Sequence, residues 1–556
     1  MLCQSRSTVR MFYFKRTFAP GNSQNPKILH IRERRFEQKV KIYAFLKITD
    51  YEKGMIIIMK FQNPIIKGFY PDPSVCYANG TYYLVCSSMH YFPGVPLFES
   101  KDLINWNQIG HCLTRRSQIA LDKVSSSGGV FAPTIRYHEN RFYMTTTNDT
   151  THQNFYVWTD DIYGEWSEPL YVDQGGIDPS LYFEAGHTYF MSNGTDDNGI
   201  GGIVQCEINI LTGEKLTHSR SIWQGSGGRY LEGPHLYKIN GSYYLVAAEG
   251  GTEYGHMVTY ARGSSPYGPF TSYPYNPVLT NRNLGGYPIQ GIGHGDLIQA
   301  PDGSYWLIHL GFRQTGQWST FHHLGREVFL SSVEFKEDGW FTAGDCGTTK
   351  EFVEVPYLTT TQEVNSLYTF HNTSFNTDWC YLRHPNYDNY IFTDNKLTLT
   401  GSNISLNEAD SPSFLGIRQK DFSARITCEV TINHGEAGIT IMMDENHHYD
   451  LAIKKIAESY HIILRLCIGN IKSIESSFPL GDLNTAKLYI ESENQKYSFS
   501  VITSEGLHTL GDGLTRYLSS EVAGGFTGVI IGLYAFSEET PNSAEFTEFS
   551  CRYLTD

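Results

Sequence analysis

The sequence predicts an all-β protein in which a five-bladed β-propeller is followed by a β-sandwich. Three observations support this class. A strand–turn–strand pattern recurs five times between residues 61 and 350, short alternating strands fill the last third of the chain, and the composition is rich in glycine and aromatic residues. With 52 Gly and 14% aromatic residues, the chain suits turn-rich sheets that carry flat rings. Its 556 residues are too many for one ordinary domain, so two or more are expected.

The repeated unit is clearest in its second strand, which opens with an aromatic residue after a polar turn. These leading aromatics recur at intervals of roughly 50 to 60 residues, which accommodates the four short strands of one propeller blade. Five unrelated hairpins in a sandwich are the alternative, but unrelated hairpins would not share this phase. The leading aromatics are Tyr82, Phe142, Tyr189, Tyr243 and Tyr305.

Each repeat also carries a distinctive residue ten or eleven positions before its leading aromatic. The innermost strand of a propeller blade lines the central channel, so residues at this shared position are expected around one mouth. The first of them is expected to begin its strand, beside prolines that are tolerated there because no ladder donor is needed. The five residues are Asp72, Ala132, Asp178, Glu232 and His294.

Three of these five positions are acidic, and converging acids are costly because like charges raise one another's pKa. Glycoside hydrolysis uses such a set, since it needs one protonated carboxylic acid and one ionised carboxylate across the scissile bond. Acidic residues also solvate loops or bind calcium, and any one of the three alone fits that interpretation better. Their matched positions in the repeat favour catalysis by Asp72, Asp178 and Glu232.

Several longer motifs extend beyond the repeat. They are "NPIIKGFYPDPS", "FPGVPLFESKDLINW", "GGVFAPTIRYH", "GGIDPSLYF", "EGPHLY", "GGTEYGHMV", "GIGHGDLI" and "LGREV". Together they resemble glycoside hydrolase family 43, and the resemblance runs from about Phe61 to the C-terminus. It implies a five-bladed propeller that hydrolyses xylose- and arabinose-containing glycans with inversion. It further implies that Asp72 is the general base, Glu232 the general acid, and Asp178 the residue that raises the pKa of that acid and orients it.

The same resemblance assigns further substrate-binding positions. Arg326 matches an arginine that contacts the sugar in the end subsite, with a surface salt bridge as the alternative. His294 is expected to contact substrate, to hold a water-bound calcium, or to be a satisfied interior side chain. Phe131 matches an aromatic platform and could equally be core, while Thr252 matches a position that lines the site. No cofactor is expected to be required, and calcium at His294 is left open.

The second half of the chain is expected to contain a linker over 351–366 and a sandwich domain over 367–556. Its short alternating strands and turn signals indicate the sandwich. The motifs "AGITIMMDENHHYDLAI" and "GGFTGVIIGLYAF" resemble the concanavalin-like domain that follows the propeller in β-xylosidases. That resemblance implies a loop that caps the mouth, and Phe526 is the expected capping side chain, with a core strand position as the alternative.

Residues 1–58 hold 12 Lys and Arg against four Asp and Glu and show no sustained period. They are expected to be a basic extension outside the fold, with the propeller occupying 59–350. No apolar run approaches the roughly 18 residues that span a bilayer, and no secretory signal is apparent, so a cytoplasmic protein without membrane contact is expected. The net charge of −15 argues against a nucleic-acid partner.

Two pairs of adjacent histidines could suggest a metal site. Neighbours on a strand point to opposite faces, so neither His447 with His448 nor His322 with His323 is expected to share one metal ion. No metal site is therefore predicted from them.

The predicted function is an inverting exo-glycosidase that releases terminal β-1,4-linked D-xylose from xylo-oligosaccharides. An α-L-arabinofuranosidase, or an enzyme with both activities, acting on arabinose-substituted glycans is the alternative, and a non-catalytic sugar-binding propeller is a more remote one. Met89 stands where the xylosidase relatives carry an aromatic residue, and the segment around Phe131 also departs from their pattern. Both departures leave the sugar preference open, and homo-oligomerisation is also left open.

Overall fold

The computed structural model confirms an almost entirely β protein. The predicted N-terminal extension, 1–58, lies outside the described residues. None of the helices in the described part of the chain has the length and apolar character needed to cross a membrane. The structure describes residues 59–316, 318–355, 367–370, 377–393, 395–538 and 541–554.

The first half forms a five-bladed β-propeller, since five four-stranded antiparallel sheets follow one another along the described chain. The first blade comprises β2 (Ser74–Ala78), β3 (Thr81–Val85), β5 (Gly94–Ser100) and β6 (Asn107–Leu113), with the short β4 (Tyr91–Phe92) between β3 and β5 and β1 (Met59–Gln62) before them. The second comprises β7 (Val130–His138), β8 (Arg141–Asn148), β9 (Gln153–Thr159) and β10 (Leu170–Val172). The third comprises β11 (Ile177–Glu184), β12 (His187–Thr195), β13 (Gly201–Glu207) and β14 (Arg220–Trp223). The fourth comprises β15 (Glu232–Ile239), β16 (Ser242–Glu249), β17 (Met257–Gly263) and β18 (Phe270–Ser272). The fifth comprises β19 (Ile289–Gln299), β20 (Tyr305–Arg313), β21 (Glu327–Phe335) and β22 (Phe341–Ala343).

The leading aromatics lie on the second strand of each blade, as predicted. Part of the predicted linker differs: residues 352–355 form β23 (Phe352–Val355), which pairs antiparallel with β1. A strand forms there because Phe61 is buried against the first and fifth blades and carries β1, and with it β23, onto the propeller. The rest of the predicted linker, 356–366, lies outside the described residues.

A kink in the innermost strand explains how the blades aim side chains at the channel. In blades two to five the pairing of the first two strands shifts register at the shared repeat position, as in a β-bulge. A bulge turns a side chain out of the regular alternation and is often found beside active sites. Each blade has a positive φ here, at Asp72 (54°), Ala132 (30°), Asp178 (58°), Gly233 (59°) and His294 (47°).

The first blade departs slightly from the expectation, because β2 begins at Ser74 and not at Asp72. Pro71 and Pro73 have no backbone N–H to give to a ladder, so the segment around Asp72 remains outside the sheet. Asp72 nevertheless keeps the repeat position and the backbone turn of its equivalents.

A buried polar cluster fills the channel between the innermost strands. Arg136 of β7 forms an ion pair with Asp296 of β19, with 2.8 Å between Nη1 and Oδ2. The Ser74 hydroxyl donates to the same carboxylate at 2.6 Å, and the Tyr237 hydroxyl donates to its other oxygen. Arg136 Nη2 also lies 2.9 Å from His235 Nδ1. These contacts join four of the five blades through side chains alone.

The C-terminal half is a β-sandwich of two large sheets, again counted over the described residues. One sheet contains β24 (Leu367–Thr369), β26 (Tyr390–Thr393), β27 (Lys396–Thr400), β29 (Ala424–Ile432), β34 (Thr485–Ser492), β35 (Lys496–Thr503), β36 (Gly506–Leu514) and β38 (Ser543–Tyr553). The other contains β25 (Trp379–Leu382), β28 (Ser413–Arg418), β30 (Glu436–Asp444), β31 (His447–Ile456), β32 (Ser459–Ile468), β33 (Ile471–Gly481) and β37 (Ile530–Phe536), together with β4 of the propeller. Short helical turns lie at Tyr387–Asn389, Thr515–Leu518 and Ser520–Ala523.

Alternating apolar residues build the sandwich core. On β29, Ile426, Cys428 and Val430 are fully buried, while the residues between them face outward. They pack against the inward residues of β30, such as Ile439 and Ile441. This period of two is the pattern that predicted the strands from the sequence.

The propeller and the sandwich are joined by strand pairing as well as by packing. Tyr91 and Phe92 of β4 pair with Leu382 and Tyr381 of β25, so a propeller strand completes one sandwich sheet. An apolar cluster lies behind this pairing. Its members are Phe69, Met89 and Tyr91 from the propeller and Leu382, Phe414, Met442 and Ile530 from the sandwich.

Candidate active site

The three predicted carboxylates lie at the same end of the channel and influence one another electrostatically. Asp72 and Asp178 are each 6% exposed, and the Glu232 side chain is 18% exposed. They arrive from the first, third and fourth blades at the kinked positions described above. The structure therefore brings together the residues that the repeat predicted.

Asp72 is held as a carboxylate by its neighbours. Arg326 Nη1 donates to Oδ1 at 2.8 Å, and the Ser87 hydroxyl donates to Oδ2 at 2.6 Å. Nδ1 of His294 lies 4.0 Å from Oδ1. Burial alone would raise the pKa of Asp72, but Arg326, His294 and the Ser87 hydrogen bond outweigh it, so this pKa lies below its usual value.

Asp178 and Glu232 have the opposite character, because the pKa values of both are raised to about 7. Burial is the largest cause for each, His294 partly offsets it, and the negative charge of Asp72 adds to it. The repulsion between the two carboxyls raises the pKa of Asp178, and the expected effect of Asp178 on the pKa of Glu232 stays a prediction. Asp178 Oδ2 accepts a hydrogen bond of 3.0 Å from the backbone N–H of Gly233 and so fixes the chain directly after Glu232.

His294 occupies the fifth channel position and is almost fully buried. Its ring lies over Gly233, where a Cβ atom would collide with the imidazole, and 6.3 Å from the ring of His235. No group of three or more His, Cys, Asp or Glu in the described chain is arranged to hold a metal ion directly. The water-bound calcium and the substrate contact considered for His294 stay predictions.

Arg326 is buried in the site, so the surface salt bridge considered as an alternative is wrong. It precedes β21 and, besides Asp72, donates to the Thr252 hydroxyl at 3.0 Å and to the backbone carbonyl of Phe526 at 3.3 Å. Thr252 lies in the loop between β16 and β17. One guanidinium thus connects the first blade, the fourth blade and the sandwich domain.

Phe526 is not a core residue of a strand, because it lies in the loop before β37 and its side chain is 44% exposed. Its N–H donates to the Ser127 hydroxyl at 2.8 Å, which ties the sandwich loop to the propeller. The Arg326 guanidinium lies 5.8 Å from the centre of its ring. An exposed ring tied beside Arg326 and Asp72 has the placement expected of a cap.

Phe131 lies on β7 beside the channel residue Ala132 and is half-buried against the cluster that joins the two domains. Met89 is fully buried in the same cluster. The described contacts of Phe131 are with the core, and its role as a sugar platform stays a prediction.

Sequence reasoning missed two residues that touch the carboxylates. Ser87 donates to Asp72 and accepts from the N–H of Ala132 at 2.7 Å, so it links two channel positions. His256 is fully buried, with Nε2 3.5 Å from Glu232 Oε1. His256 stands in the motif "GGTEYGHMV", but no regular spacing relates it to Glu232, which is 24 residues away.

The two histidines of each pair make separate contacts, as expected. The expected reason, that neighbours on a strand point to opposite faces, applies only to His447 and His448. His447 and His448 lie on β31 and contact Asp444 and Asp450 through their Nδ1 atoms at 2.9 and 2.8 Å. His322 and His323 do not lie on a strand, because the chain there is irregular. His322 binds Glu521, and His323 is buried apart from it.

A five-bladed propeller that gathers three carboxylates at one mouth defines a class of carbohydrate-cleaving enzymes. The model of "Glycosyl hydrolases family 43" matches residues 61–341, and that of the "Beta xylosidase C-terminal Concanavalin A-like domain" matches residues 368–552. The chain belongs to glycoside hydrolase family 43 and is a glycosidase whose substrate is a glycan.

Two relatives and one solved structure match the chain over most of its length. A non-reducing-end α-L-arabinofuranosidase of Bacteroides ovatus is 37% identical over 510 residues, covering 89% of this chain and 95% of its own. A xylosidase/arabinosidase of Butyrivibrio fibrisolvens is 35% identical over 524 residues, covering 88% and 98%. A solved structure described as "Bacteroides ovatus Xyloglucan PUL GH43B" superposes with a TM-score of 0.83 at 36% identity, covering 89% and 100%.

Proposed function

We propose that the protein is an inverting, exo-acting glycosidase that removes one terminal pentose from a glycan, with α-L-arabinofuranose preferred and β-D-xylose as a second substrate. The observation that carries the exo assignment is the contact set of Arg326. Its guanidinium bonds to Asp72 and to the Phe526 carbonyl, so the sandwich loop lies directly beside the base. Such closure leaves room for a chain end rather than for a continuous polymer.

In this mechanism Asp72 is the base and Glu232 the acid. Asp72, held ionised by Arg326 and Ser87, removes a proton from the water that attacks the anomeric carbon. Glu232, whose pKa is raised to about 7, gives its proton to the glycosidic oxygen as the C–O bond breaks. Asp178 holds the backbone at Gly233 and so fixes the direction in which Glu232 points.

The comparisons support arabinofuranose over the β-xylose preference expected from the sequence. The three curated relatives matched over nearly their full length all carry an arabinosidase activity in their names, and two of them are named for both sugars. Met89, which replaces the aromatic residue of the xylosidase pattern, does not discriminate between the two sugars. β-D-Xylose remains the second candidate because the two dual-named relatives include it.

The test compares hydrolysis of an aryl α-L-arabinofuranoside with that of the matching aryl β-D-xyloside at equal concentrations. A kcat/KM ratio in favour of the arabinoside supports the proposal, and a large ratio in favour of the xyloside reverses the sugar assignment. Product analysis on arabinosylated xylan and on xylotriose tests exo action, since only monosaccharide should be released. No turnover of any of these substrates would favour the sugar-binding alternative.

A further inference from the structure

His256 lies immediately before β17 with its backbone fixed at both ends. Its N–H donates to the carbonyl of Glu253 at 3.0 Å, and its own carbonyl accepts from the Thr280 hydroxyl at 2.8 Å. The side chain is fully buried. A Cβ atom at Gly293 would collide with the imidazole, so the ring fills a space that the absence of a side chain on β19 leaves open.

The contacts of the ring decide which nitrogen carries the proton. Nδ1 lies 3.4 Å from the carbonyl oxygen of Gly291, and a carbonyl can only accept, so Nδ1 carries the hydrogen. Burial, together with the charge of Arg326, lowers the pKa of His256 to about 4, and the ring is therefore neutral near pH 7. Nε2 then carries a lone pair, and none of the described residues donates a hydrogen bond to it.

That lone pair faces the carboxyl of Glu232, with 3.5 Å between Nε2 and Oε1. An ionised Glu232 would place two lone pairs against each other in a buried site, which is unfavourable. A protonated Glu232 with its hydrogen on Oε1 would instead donate to Nε2. The arrangement of the imidazole thus distinguishes the two protonation states of the carboxyl.

We propose that His256 is a positioning residue that holds the catalytic proton on Oε1 of Glu232 in the free enzyme. The inference rests on the proposed function, because it takes Glu232 as the general acid. When substrate binds, that proton passes to the glycosidic oxygen, which keeps the electron pair of the broken C–O bond. The carboxylate that remains recovers a proton from solvent, and the imidazole stays neutral throughout.

Other charged groups also act on this pair. Asp72, Arg326 and His294 act on Glu232, and the charge of Glu232 acts on Asp178. Arg326 and Asp72 also act on His256. These groups stay in place when only residue 256 is changed, so a difference between variants at this position reports the imidazole.

The first test is the pH dependence of kcat/KM for His256→Phe and His256→Gln. The alkaline limb should move down by about one pH unit in His256→Phe, because the acceptor that favours protonated Glu232 is lost. In His256→Gln the alkaline limb should lie close to its wild-type pH, because the amide oxygen of the glutamine can accept a hydrogen bond from protonated Glu232. His323→Phe is the matched control, since His323 is equally buried and its ring nitrogens also lack partners among the described residues. It should leave the limb unchanged.

An unmoved alkaline limb in a folded His256→Phe enzyme would overturn the proposal. Gly293→Ala displaces the ring without removing it and should give a shift in the same direction, so a second variant is available if His256→Phe does not fold. The wild-type enzyme provides a direct measurement. At pH 6 its infrared spectrum should contain protonated carboxyl absorption from both Asp178 and Glu232. Glu232→Gln should remove the part that Asp178→Asn leaves, and no loss of absorption in Glu232→Gln would also overturn the proposal.

These outcomes distinguish a failure of the His256 proposal from a failure of the assignment of Glu232 as the general acid. If Glu232 is not the acid, Glu232→Ala will slow good and poor leaving groups equally. If Glu232 is the acid and His256 is only structural, Glu232→Ala will discriminate between leaving groups, while the His256 variants lose rate without moving the limb.

Discussion

Arg326 Nη1 donates a hydrogen bond of 2.8 Å to Asp72 Oδ1, although the two residues are 254 positions apart in the chain. The same nitrogen donates to Thr252, and Nε has no partner among the described residues. Asp72 therefore depends on a residue of the last blade for its charge.

Arg326→Ala should move the acidic limb of kcat/KM to higher pH. Burial raises the pKa of Asp72 and the Arg326 guanidinium lowers it. Without the guanidinium, the pKa of Asp72 should therefore rise by about one unit or more. Since the base must be ionised, activity at pH 5 should fall more than activity at pH 7. The pH profile of aryl glycoside hydrolysis measures this. Arg425→Ala, at an exposed ion pair of the sandwich, is the control and should leave the profile unchanged.

Glu232→Gln should affect substrates according to their leaving groups. A general acid contributes roughly 10²- to 10⁴-fold, and a good leaving group departs without needing that proton. We expect a loss in this range for an alkyl or sugar leaving group and a much smaller loss for a dinitrophenyl leaving group. Asp72→Asn should abolish both, because water activation is common to them. Equal losses with both leaving groups in Glu232→Gln would remove its assignment as the acid.

The product should have inverted anomeric configuration. An inverting enzyme needs about 6.5–9.5 Å between its two carboxyls so that water fits between them. Proton NMR during the first minutes of hydrolysis identifies the anomer released, before mutarotation equilibrates it. A retained anomer would contradict Asp72 as base and point to a nucleophile instead.

Asp178→Asn should stabilise the fold at high pH. In the folded protein the pKa of Asp178 is about 7, above its usual value of 3.8. Its contribution to stability is therefore fully present below about pH 3.8 and is lost as the pH rises through 7, at about 1.4 kcal/mol per pH unit. An amide cannot ionise and still accepts from Gly233 N–H. The melting temperature should exceed that of the wild type by a few degrees at pH 8, with a smaller difference at pH 4.5, while activity falls.

Asp296→Ala should destabilise the propeller strongly. It leaves Arg136 buried without its partner, and breaking one side of a buried ion pair costs about 3–5 kcal/mol. Denaturant unfolding monitored by tryptophan fluorescence measures the change. Glu548→Ala, which breaks an exposed ion pair with Lys487, is the matched control and should cost less than about 1 kcal/mol.

Phe526→Ala should weaken the selection of chain ends. Its ring lies beside Arg326 and its N–H is tied to Ser127, so truncation opens the mouth without breaking the backbone contact. We expect KM for short oligosaccharides to rise several-fold with little change in melting temperature. Phe352→Ala, which truncates another exposed phenylalanine, on β23, should change neither. An unchanged KM in Phe526→Ala would remove its role as a cap.

The three carboxylates could be predicted from the sequence because every blade repeats the same local structure. Every blade needs an aromatic residue on its second strand and a kink on its first, so Asp72, Asp178 and Glu232 could be aligned by counting from Tyr82, Tyr189 and Tyr243. The position of the kink can also be predicted in part from the sequence. Four of the five kinked residues precede proline, in the motifs "DPS", "APT", "DPS" and "EGP", which disfavours regular pairing at that point.

Contacts between different blades could not be predicted by counting along the sequence. His256 meets Glu232 only because Gly293 of the next blade leaves space for the ring, and no period links the three positions. Arg326 and Phe526 were found by resemblance, and their mutual contact depends on how the sandwich lies against the propeller. The pairing of β1 with β23 was missed because both strands are short and distant in the chain.

The pairing of Tyr91 and Phe92 with β25 limits how the two halves of the chain can be exchanged. A propeller expressed by itself would present an unmatched strand edge next to the bare apolar cluster around Phe69 and Met89, which is a template for aggregation. Replacing the sandwich with one from another enzyme would succeed only if the incoming sheet offered a strand in register with residues 91–92. Such swaps would have to carry the 89–93 segment along with the sandwich, so the natural unit for recombination is not either domain alone.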